Sequence, residues 1–397
     1  GFLSAQHSLV QRRSQTTLAT VLTEEYAKHA APRAAQRGTP LAGVDGIELP
    51  AWLVAEEVAH GGYADPDTSS LWKAYQQDLA RTFAASRRGQ DKIRVLIATY
   101  LGNDEATVDL WGANIQRLRG NQAGDSFDFA FFHYDSNNSL WQRQRWYSDP
   151  SVRIKHLGQG CPAMFWRQLE PSFVKGYDYV WLTDGDMSLA LFSWDVYRTV
   201  VLRLRPLVSQ PSIVARGAGW MSSNLVEMRM TTGLQEDFTV AREATRSEVM
   251  TPILSSRLWE AIHKRLEGNF LNNTWFADTF WDLAPLASKA ACNTTGIVLI
   301  DASPALHMDQ RTLREKVDTK EGICTFGPGR AGPNNRSIGP DELEFLGAAL
   351  RGHCDKAKDL LAARSRQGAV AIHKALQAHL SSSGAGFRRW SAAELVD

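Results

Sequence analysis

Apolar residues in this chain form short runs that alternate with amphipathic stretches. Runs rich in aromatic and β-branched residues predict buried strands over residues 93–100, 127–135, 152–156, 177–183, 209–215 and 296–301. Helical spacing predicts helices over residues 105–119, 162–175, 194–204 and 256–266. Strands that alternate with helices are typical of βαβ units, so the pattern predicts an α/β fold with a mainly parallel central sheet.

The two ends of the chain lack this alternation. Residues 1–90 are rich in Ala, Gln and Arg, and apolar residues follow helical spacing after the cap-like residues 67–70, at Leu71, Tyr75, Leu79 and Phe83. Residues 340–380 are helical again, and the polar residues 217–247 predict a long excursion. We therefore predict a helical N-terminal arm over 1–90, a central domain over 91–315 and a helical C-terminal extension over 316–397.

The run 177–187 contains Asp184-Gly185-Asp186, an Asp-x-Asp (DxD) motif that directly follows a strongly strand-like segment. In open α/β sheets ligands bind outside the carboxyl ends of the strands, which is where this motif falls. Two carboxylates separated by glycine can turn toward one point, and such hard oxygen ligands suit Mg²⁺ or Mn²⁺ and, through the metal, a diphosphate. Asp-x-Asp also occurs by chance and Asp-Gly is common in turns, so a simple turn is the alternative.

Composition narrows the class of function. The 44 basic and 43 acidic residues give a formal net charge of +1 with no basic stripe, so nucleic acid is not an expected partner. An apolar fraction of 44% supports a sizeable core. Most of the 13 tryptophans are expected to lie in that core, although Trp275 and Trp281 are candidates for stacking on sugar. No apolar run reaches the roughly 18 residues of a membrane span.

Cysteines and glycosylation sequons bear on the cellular compartment. The four cysteines are Cys161, Cys292, Cys324 and Cys354, and their lack of CxxC spacing argues against a zinc site. They either form two disulfides, in one of three connectivities, or remain free thiols. Asn-x-Ser/Thr sequons indicate the secretory lumen and occur at Asn137, Asn272, Asn293 and Asn335. Because the chain begins at Gly1, we expect a signal or membrane anchor upstream.

Several segments occur in an order that resembles a known family. They are residues 131–135, 177–186, 209–211, 249–259, 275–278 and 300–307. Together they resemble a plant and algal family of unknown function labelled "lysine-ketoglutarate reductase trans-splicing related", which in turn resembles glycosyltransferases of the A-type (GT-A) fold. The resemblance covers residues 93–315. It implies a Rossmann-like α/β domain with a nucleotide-sugar site, which makes residues 91–315 a catalytic domain.

The resemblance assigns roles residue by residue. Asp184 and Asp186 match the acid pair that holds the divalent metal and the donor diphosphate. His307 matches a third metal ligand, although a lone histidine is more often structural. Asp278 matches the position facing the acceptor, where it would take the acceptor proton in an inverting reaction; a helix cap is the alternative. The family more often has glutamate where this chain has Gly185, and the resemblance implies that this middle position faces the donor.

Two further acids end predicted strands. Asp135 follows the strand 127–135 at the sheet edge that also carries the acid pair. It either contacts the nucleotide, as a donor-binding residue beside Asp184 and Asp186, or closes a turn. Asp301 is expected to cap a turn.

The resemblance implies a metal-dependent glycosyltransferase that moves a sugar from a nucleotide sugar to a glycan or glycoprotein acceptor. The expected cofactor is Mn²⁺ or Mg²⁺, the expected donor is a UDP-sugar, and the expected location is the lumen of the secretory pathway, in the Golgi. A non-catalytic sugar-binding or scaffolding protein of the same fold is one alternative, because fold alone does not determine activity. The other is a phosphatase of the haloacid-dehalogenase type, whose nucleophile loop resembles Asp-Gly-Asp-Met, although there the glycine follows the second acid.

Overall fold

The strand that leads into the acid pair lies inside a mixed sheet. The computed structural model describes residues 57–59, 61–86, 92–215, 239–267, 274, 277–308, 335–383 and 386–396, which all belong to one unit spanning residues 54–397. Within these ranges the sheet contains ten strands. They are β1 (Arg94–Leu101), β2 (Ser126–His133), β3 (Val152–Leu157), β4 (Tyr179–Thr183), β5 (Met187–Ser188), β6 (Val208–Ala215), β7 (Ala241–Ala244), β8 (Ile253–Ser255), β9 (Ile297–His307) and β10 (Arg389–Trp390).

One half of the sheet is parallel and runs in the order β4-β1-β2-β3. Val95 on β1 pairs with Phe127 on one side and with Tyr179 on the other. Strands β1, β2 and β4 are largely buried, and strands covered on both faces have continuous apolar sequences rather than alternating ones. Their carboxyl ends therefore lie at one edge of the sheet, and the prediction of an α/β fold with a mainly parallel sheet is confirmed.

Helices connect the strands. They are α1 (Pro66–Ser86), α2 (Glu105–Arg119), α3 (Ser139–Gln142), α4 (Pro162–Trp166), α5 (Pro171–Val174), α6 (Trp194–Leu204), α7 (Ser256–Arg265), α8 (Ala277–Trp281), α9 (Leu283–Cys292), α10 (Pro340–Leu350), α11 (Asp355–Ala362), α12 (Ala369–Ser382) and α13 (Ala392–Val396). The predicted bounds of α2 and α6 agree with the structure at both ends. No helix in the described ranges is long and apolar enough to cross a bilayer.

Two predicted helices differ from the structure. The helix expected over residues 162–175 is divided into α4 and α5, because the backbone leaves helical geometry at Glu170 and Pro171 begins a new helix. Helix α1 is capped by Asp65 rather than by residues 67–70, since its carboxylate accepts a hydrogen bond from the Thr68 amide at 3.0 Å. Leu71 is 40% exposed and Trp72 is fully buried, so the apolar face of α1 begins one residue later than predicted.

Short antiparallel strands complete the sheet, and the sequence pattern does not predict them. Strand β8 lies between β4 and β6, and β7 pairs with β9. The β7 sequence, Ala-Arg-Glu-Ala, has no β-branched or aromatic residue, and it lies inside residues 217–247, where we expected an excursion. Strand β9 continues beyond the predicted end at residue 301 because β6 pairs with it as far as His307 and β5 also pairs with its last two residues. Residues 216–238 lie outside the described ranges.

The C-terminal region joins the sheet rather than only covering it. Strand β10 pairs with β7 at the sheet edge. Beside this pairing, Lys289 and Glu243 form a fully buried ion pair with 2.7 Å between nitrogen and oxygen. The Glu243 carboxylate also accepts hydrogen bonds from the amides of Gly296 and Arg388, each at 2.8 Å. One buried carboxylate therefore connects β7 to the beginning of β9 and to β10.

A disulfide links two of the C-terminal helices. Cys292 at the end of α9 is bonded to Cys354, which precedes α11, with 6.0 Å between the Cα atoms. Cys161 is also disulfide-bonded, and none of the cysteines in the described ranges is free. The prediction of disulfides is confirmed for these residues, and the free-thiol alternative is wrong. Cys324 lies outside the described ranges.

Replacing Cys292 and Cys354 together by serine is expected to lower the free energy of unfolding by about 4 kcal/mol. The bond closes a loop with a sequence separation of 62 residues, and its loss increases the conformational entropy of the unfolded chain. Urea unfolding of the oxidised parent and the double variant measures the difference. A loss below about 1 kcal/mol would show that the crosslink contributes little to stability.

Candidate functional site

The acid pair occupies a tight turn immediately after β4. The Asp184 amide donates to the Met250 carbonyl at 2.8 Å, and the Met187 amide donates to the Asp184 carbonyl at 3.3 Å. The hydroxyl of Tyr100, on the neighbouring strand β1, donates a hydrogen bond to the Asp184 carboxylate. The carboxylate of Asp184 is therefore fixed by β1, and its backbone by the segment that leads into β8.

Gly185 has no room for a side chain. A Cβ atom built on it would approach the Tyr100 carbonyl oxygen more closely than real Cβ atoms do. The Gly185 carbonyl accepts a hydrogen bond from the Trp111 indole at 2.9 Å, which holds the turn against α2. The middle position of the motif therefore faces the end of β1. In this chain it does not offer a side chain to a donor, in contrast to what the resemblance implies.

Gly185→Ala is expected to weaken metal binding at the motif at least tenfold. The new methyl group must displace the turn from β1, which costs about 1–3 kcal/mol and moves the two flanking carboxylates. Titration with Mn²⁺ by calorimetry measures the affinity, and Gly386→Ala is the matched control because nothing lies within 4 Å of that position. Equal affinities for the two variants would contradict a rigid acid pair.

Strand pairing brings His307 to the acid pair. Met187, just after the motif, pairs with His307 at the end of β9, and the Met308 amide donates to the Asp186 carbonyl at 3.1 Å. His307 Nε2 lies 3.4 Å from Asp186 Oδ2. The predicted third ligand is thus placed beside the predicted pair by the antiparallel contact between β5 and β9.

These three residues fit a divalent metal. One ligand atom from each of Asp184, Asp186 and His307 can be chosen so that all three lie within 4.8 Å of one another. Opposite ligands of an ion with bonds of 2.0–2.1 Å are about 4 Å apart, so only a small adjustment would close the site on one ion. Carboxylate oxygens suit Mg²⁺ and Mn²⁺, and an imidazole nitrogen adds affinity for first-row transition metals, so the set favours Mn²⁺.

Electrostatic repulsion at the turn supports the same assignment. Loss of hydration and the neighbouring Asp186 charge raise the pKa of Asp184 well above its usual range, with Glu248 adding to the shift. Burial and these two aspartates also raise the pKa of Tyr100, which therefore remains a hydrogen-bond donor. A bound divalent cation would relieve the repulsion between the carboxylates.

Asp278 lies at the beginning of α8, in a second group of acids. Its carboxylate accepts a hydrogen bond from the next amide, Thr279, at 2.8 Å. Burial, followed by the charges of Glu248 and Asp282, raises the pKa of Asp278 well above its usual range. This bond to the next residue is not an N-cap bond, because Asp278 lies inside α8 and a cap accepts from the amide two or three residues further on. Trp275 lies outside the described ranges.

Glu248 is the site residue that sequence reasoning missed. Its charge raises the pKa of Asp184 and also that of Asp278, so it lies within electrostatic reach of the metal triad and of α8. Its amide donates to the side-chain oxygen of Gln210 on β6 at 2.8 Å. Glu248 belongs to no strand, cap or spaced motif. Its position directly before the segment 249–259, which carries part of the family resemblance, was the available signal.

The other residues singled out in the sequence lie outside the Asp184, Asp186 and His307 triad. Asp135 accepts hydrogen bonds from the amides of Asn103 at 2.7 Å and Asn137 at 3.3 Å, so it connects the loops after β1 and β2 and closes a turn. It is not a member of the metal triad. Asp301 is fully buried and pairs with Arg242 at 3.0 Å. Trp281 is also buried, and its indole donates to Ser247 Oγ at 2.8 Å, so it belongs to the core rather than to a sugar-stacking surface.

Comparison with protein families gives one match. A family described as "Protein of unknown function (DUF707)" matches residues 76–330, which include the triad, Glu248 and Asp278. This agrees with the expected family of unknown function, and the description does not contain the lysine-ketoglutarate label. No curated protein matches the sequence.

Solved structures show similarity at low identity. TarS residues 1–349 of S. aureus, in complex with UDP-GlcNAc, matches with a TM-score of 0.38 and 12% identity, over 72% of this chain and 73% of that chain. The mannosyltransferase PcManGT of Pyrobaculum calidifontis, in complex with GDP-Man and Mn²⁺, matches with a TM-score of 0.35 and 13% identity, over 84% and 88%. At these low TM-scores the similarity does not identify a function for this chain.

Proposed function

We propose that this chain, which belongs to the family of proteins of unknown function described as DUF707, is a metal-dependent glycosyltransferase. It would have a GT-A-type site and use a nucleotide-sugar donor. The observation that carries the proposal is the convergence of Asp184, Asp186 and His307 at the carboxyl edge of the sheet. Nucleotide ligands of open α/β sheets bind at this edge. Two carboxylates and an imidazole around one metal provide a place for a diphosphate.

The donor side of the site is organised by the triad. Asp184, Asp186 and His307 would hold Mn²⁺ or Mg²⁺, which supplies positive charge against the diphosphate leaving group. Tyr100 keeps the Asp184 carboxylate oriented through its hydroxyl. We propose a UDP-sugar as the donor, with Asp135 close to the nucleotide because it connects the loops after β1 and β2.

The acceptor side is organised by Asp278. In an inverting transfer, the bond between the anomeric carbon and the diphosphate oxygen breaks as the bond to the acceptor oxygen forms. The acceptor hydroxyl proton passes to the Asp278 carboxylate, and the nucleoside diphosphate leaves with the bonding electron pair. The raised pKa of Asp278 makes it a stronger base than a solvated aspartate. We propose a glycan or glycoprotein as the acceptor.

Disulfides and sequons support a lumenal location for this activity. The bond between Cys292 and Cys354 is of a kind that persists in oxidising compartments. Asn137 and Asn293 are exposed, as glycosylation of their sequons would require. We therefore propose the secretory lumen, in the Golgi, as the site of action.

Calorimetric titration with UDP tests the proposal before any acceptor is known. We expect UDP to bind in the presence of Mn²⁺ and to lose at least tenfold in affinity when EDTA is added. His307→Ala is expected to weaken the Mn²⁺-dependent part, and His379→Ala, an exposed histidine on α12, is the matched control. UDP binding that is equally strong with EDTA would contradict a metal-dependent donor site.

The pH dependence of donor turnover tests the role of Asp278 as a base. Burial and the neighbouring acids raise its pKa, so the carboxylate becomes an active base only at a higher pH than a solvated aspartate would. Activity should therefore rise with pH through this raised pKa. Glu248→Gln removes a neighbouring negative charge and is expected to shift the rise to lower pH. An unchanged profile in Glu248→Gln would contradict the assignment.

A further inference from the structure

Residues 245–252, which we name the β7–β8 segment, connect β7 to β8 and include Glu248. The segment ends against the central strands: the Leu182 amide donates to the Pro252 carbonyl at 3.0 Å, and the Asp184 amide donates to the Met250 carbonyl at 2.8 Å. The backbone of Asp184, one of the proposed metal ligands, is therefore bonded directly to this segment. The position of the segment therefore affects the metal triad as well as Glu248.

The beginning of the segment is held by a buried carboxylate outside the predicted site. Asp282, between α8 and α9, has no exposed surface. One of its oxygens accepts from the Ser247 amide at 2.9 Å, and the other accepts from the Ser247 hydroxyl at 2.7 Å. Both oxygens of the carboxylate thus bind Ser247, the residue immediately before Glu248.

The C-terminal helix α12 binds the same segment through Gln377 and places His373 beside Asp282. Gln377 donates from its side-chain nitrogen to the Thr245 carbonyl at 3.2 Å. His373 Nε2 lies 3.7 Å from the Asp282 carboxylate and is 7% exposed. Helix α12 follows residue 330, where the family match ends. Residues outside the family match therefore contact the segment that carries Glu248.

We propose that Asp282 is a positioning residue and that α12, through His373 and Gln377, holds the β7–β8 segment so that Glu248 is placed between the metal triad and Asp278. The C-terminal helices are then a required part of the site rather than an accessory extension. The inference rests on the proposed transferase function, since it assigns Asp282 a role in that reaction. Catalytic side chains keep a fixed geometry when buried neighbouring groups hold them through well-defined hydrogen bonds.

Two substitutions loosen the segment without removing a site carboxylate. Ser247→Ala removes the hydroxyl contacts to Asp282 and Trp281, and Gln377→Ala removes the bond to the Thr245 carbonyl. Ser288→Ala on α9 is the matched control for the first, because the buried Ser288 hydroxyl makes a comparable hydrogen bond, to the Thr294 hydroxyl at 2.6 Å. Lys374→Ala, an exposed residue of α12, is the control for the second. Asp282→Asn is a third variant, used if it folds.

The readouts are turnover of the best UDP-sugar with Mn²⁺ and hydrogen exchange at the amides of Ser247 and Glu248. In Ser247→Ala and Gln377→Ala we expect kcat to fall at least tenfold with the donor KM within twofold of the parent, and exchange to become faster. The two controls should leave both readouts unchanged. If the parent turns over donor, faster exchange with an unchanged kcat in Ser247→Ala and Gln377→Ala would overturn the positioning role alone. A parent that turns over no nucleotide sugar and binds no nucleotide would overturn the proposed function and the role together.

Discussion

Asp184→Asn is expected to lower Mn²⁺-dependent donor turnover about a thousandfold, equal to roughly 4 kcal/mol of transition-state stabilisation. The substitution removes a charged ligand from a set of three and leaves the turn and its hydrogen bonds largely in place. Without that charge, the metal is held more weakly and the leaving diphosphate is less well neutralised. Steady-state turnover with saturating Mn²⁺ measures the loss. Asp109→Asn, an exposed carboxylate on α2, is the control.

The same substitution should make the metal-free protein more stable. The pKa of Asp184 is raised by loss of hydration and by Asp186, so its ionised form is unfavourable in the folded protein. A raised pKa contributes stability at low pH that is lost as the pH rises through it, and asparagine avoids that loss. Thermal unfolding in EDTA at neutral pH should therefore give a higher midpoint for Asp184→Asn. Added Mn²⁺ should raise the midpoint of the parent by more than that of the variant, which holds the metal more weakly. Equal stabilisation of both by Mn²⁺ would contradict the metal site.

Asp278→Asn is expected to lower transfer about 10²- to 10⁴-fold, which is the usual contribution of a general base. The amide cannot accept the acceptor proton but has nearly the same shape. UDP affinity in the presence of Mn²⁺ should remain within twofold, because Asp278 lies in α8 and outside the metal triad. The measurement is single-turnover transfer beside calorimetric UDP binding.

Two comparisons make this second result specific. Asp278→Glu keeps a base and should retain more activity than Asp278→Asn. Thr279→Ala leaves the Asp278 carboxylate in place and keeps the amide that donates to it, so it controls for local changes in α8. Undiminished transfer in Asp278→Asn would refute the role of this residue as the base.

The positions of the candidate metal ligands could be predicted because strand ends are readable in the sequence. The apolar run into β4 stops at the acid pair, and the run into β9 leads to His307. Parallel strands place such ends at one edge of a sheet. The sequence could not show that β5 pairs with β9, because β5 has only two residues, Met187–Ser188, and two residues show no strand pattern. That pairing places His307 Nε2 3.4 Å from Asp186.

The acceptor side could be predicted only in part. Asp278 was found through the family resemblance. Glu248 follows β7, a strand with no β propensity, and its position depends on Gln210, which binds its amide, and on Asp282, which binds the amide of the preceding Ser247. The space around Gly185 is likewise a tertiary property, since it depends on the Tyr100 carbonyl of a neighbouring strand. Long-range contacts of this kind leave no periodic signal in the sequence.

Simple substrates separate the two alternative functions from the proposed one. A phosphatase of the haloacid-dehalogenase type would release phosphate from simple phosphoesters with Mg²⁺, which a transferase would not do. A non-catalytic sugar-binding protein would bind its ligand without metal, and changes at Asp186 would not affect that binding. Phosphate release and sugar binding in EDTA therefore identify either alternative directly.

The most direct test is hydrolysis of a panel of nucleotide sugars with Mn²⁺ by the parent chain and by Asp186→Ala. We expect one donor, a UDP-sugar, to be turned over by the parent, and the activity to disappear both with EDTA and in the variant. No turnover of any donor, together with no nucleotide binding in a thermal-shift assay, would contradict the transferase and favour the non-catalytic alternative.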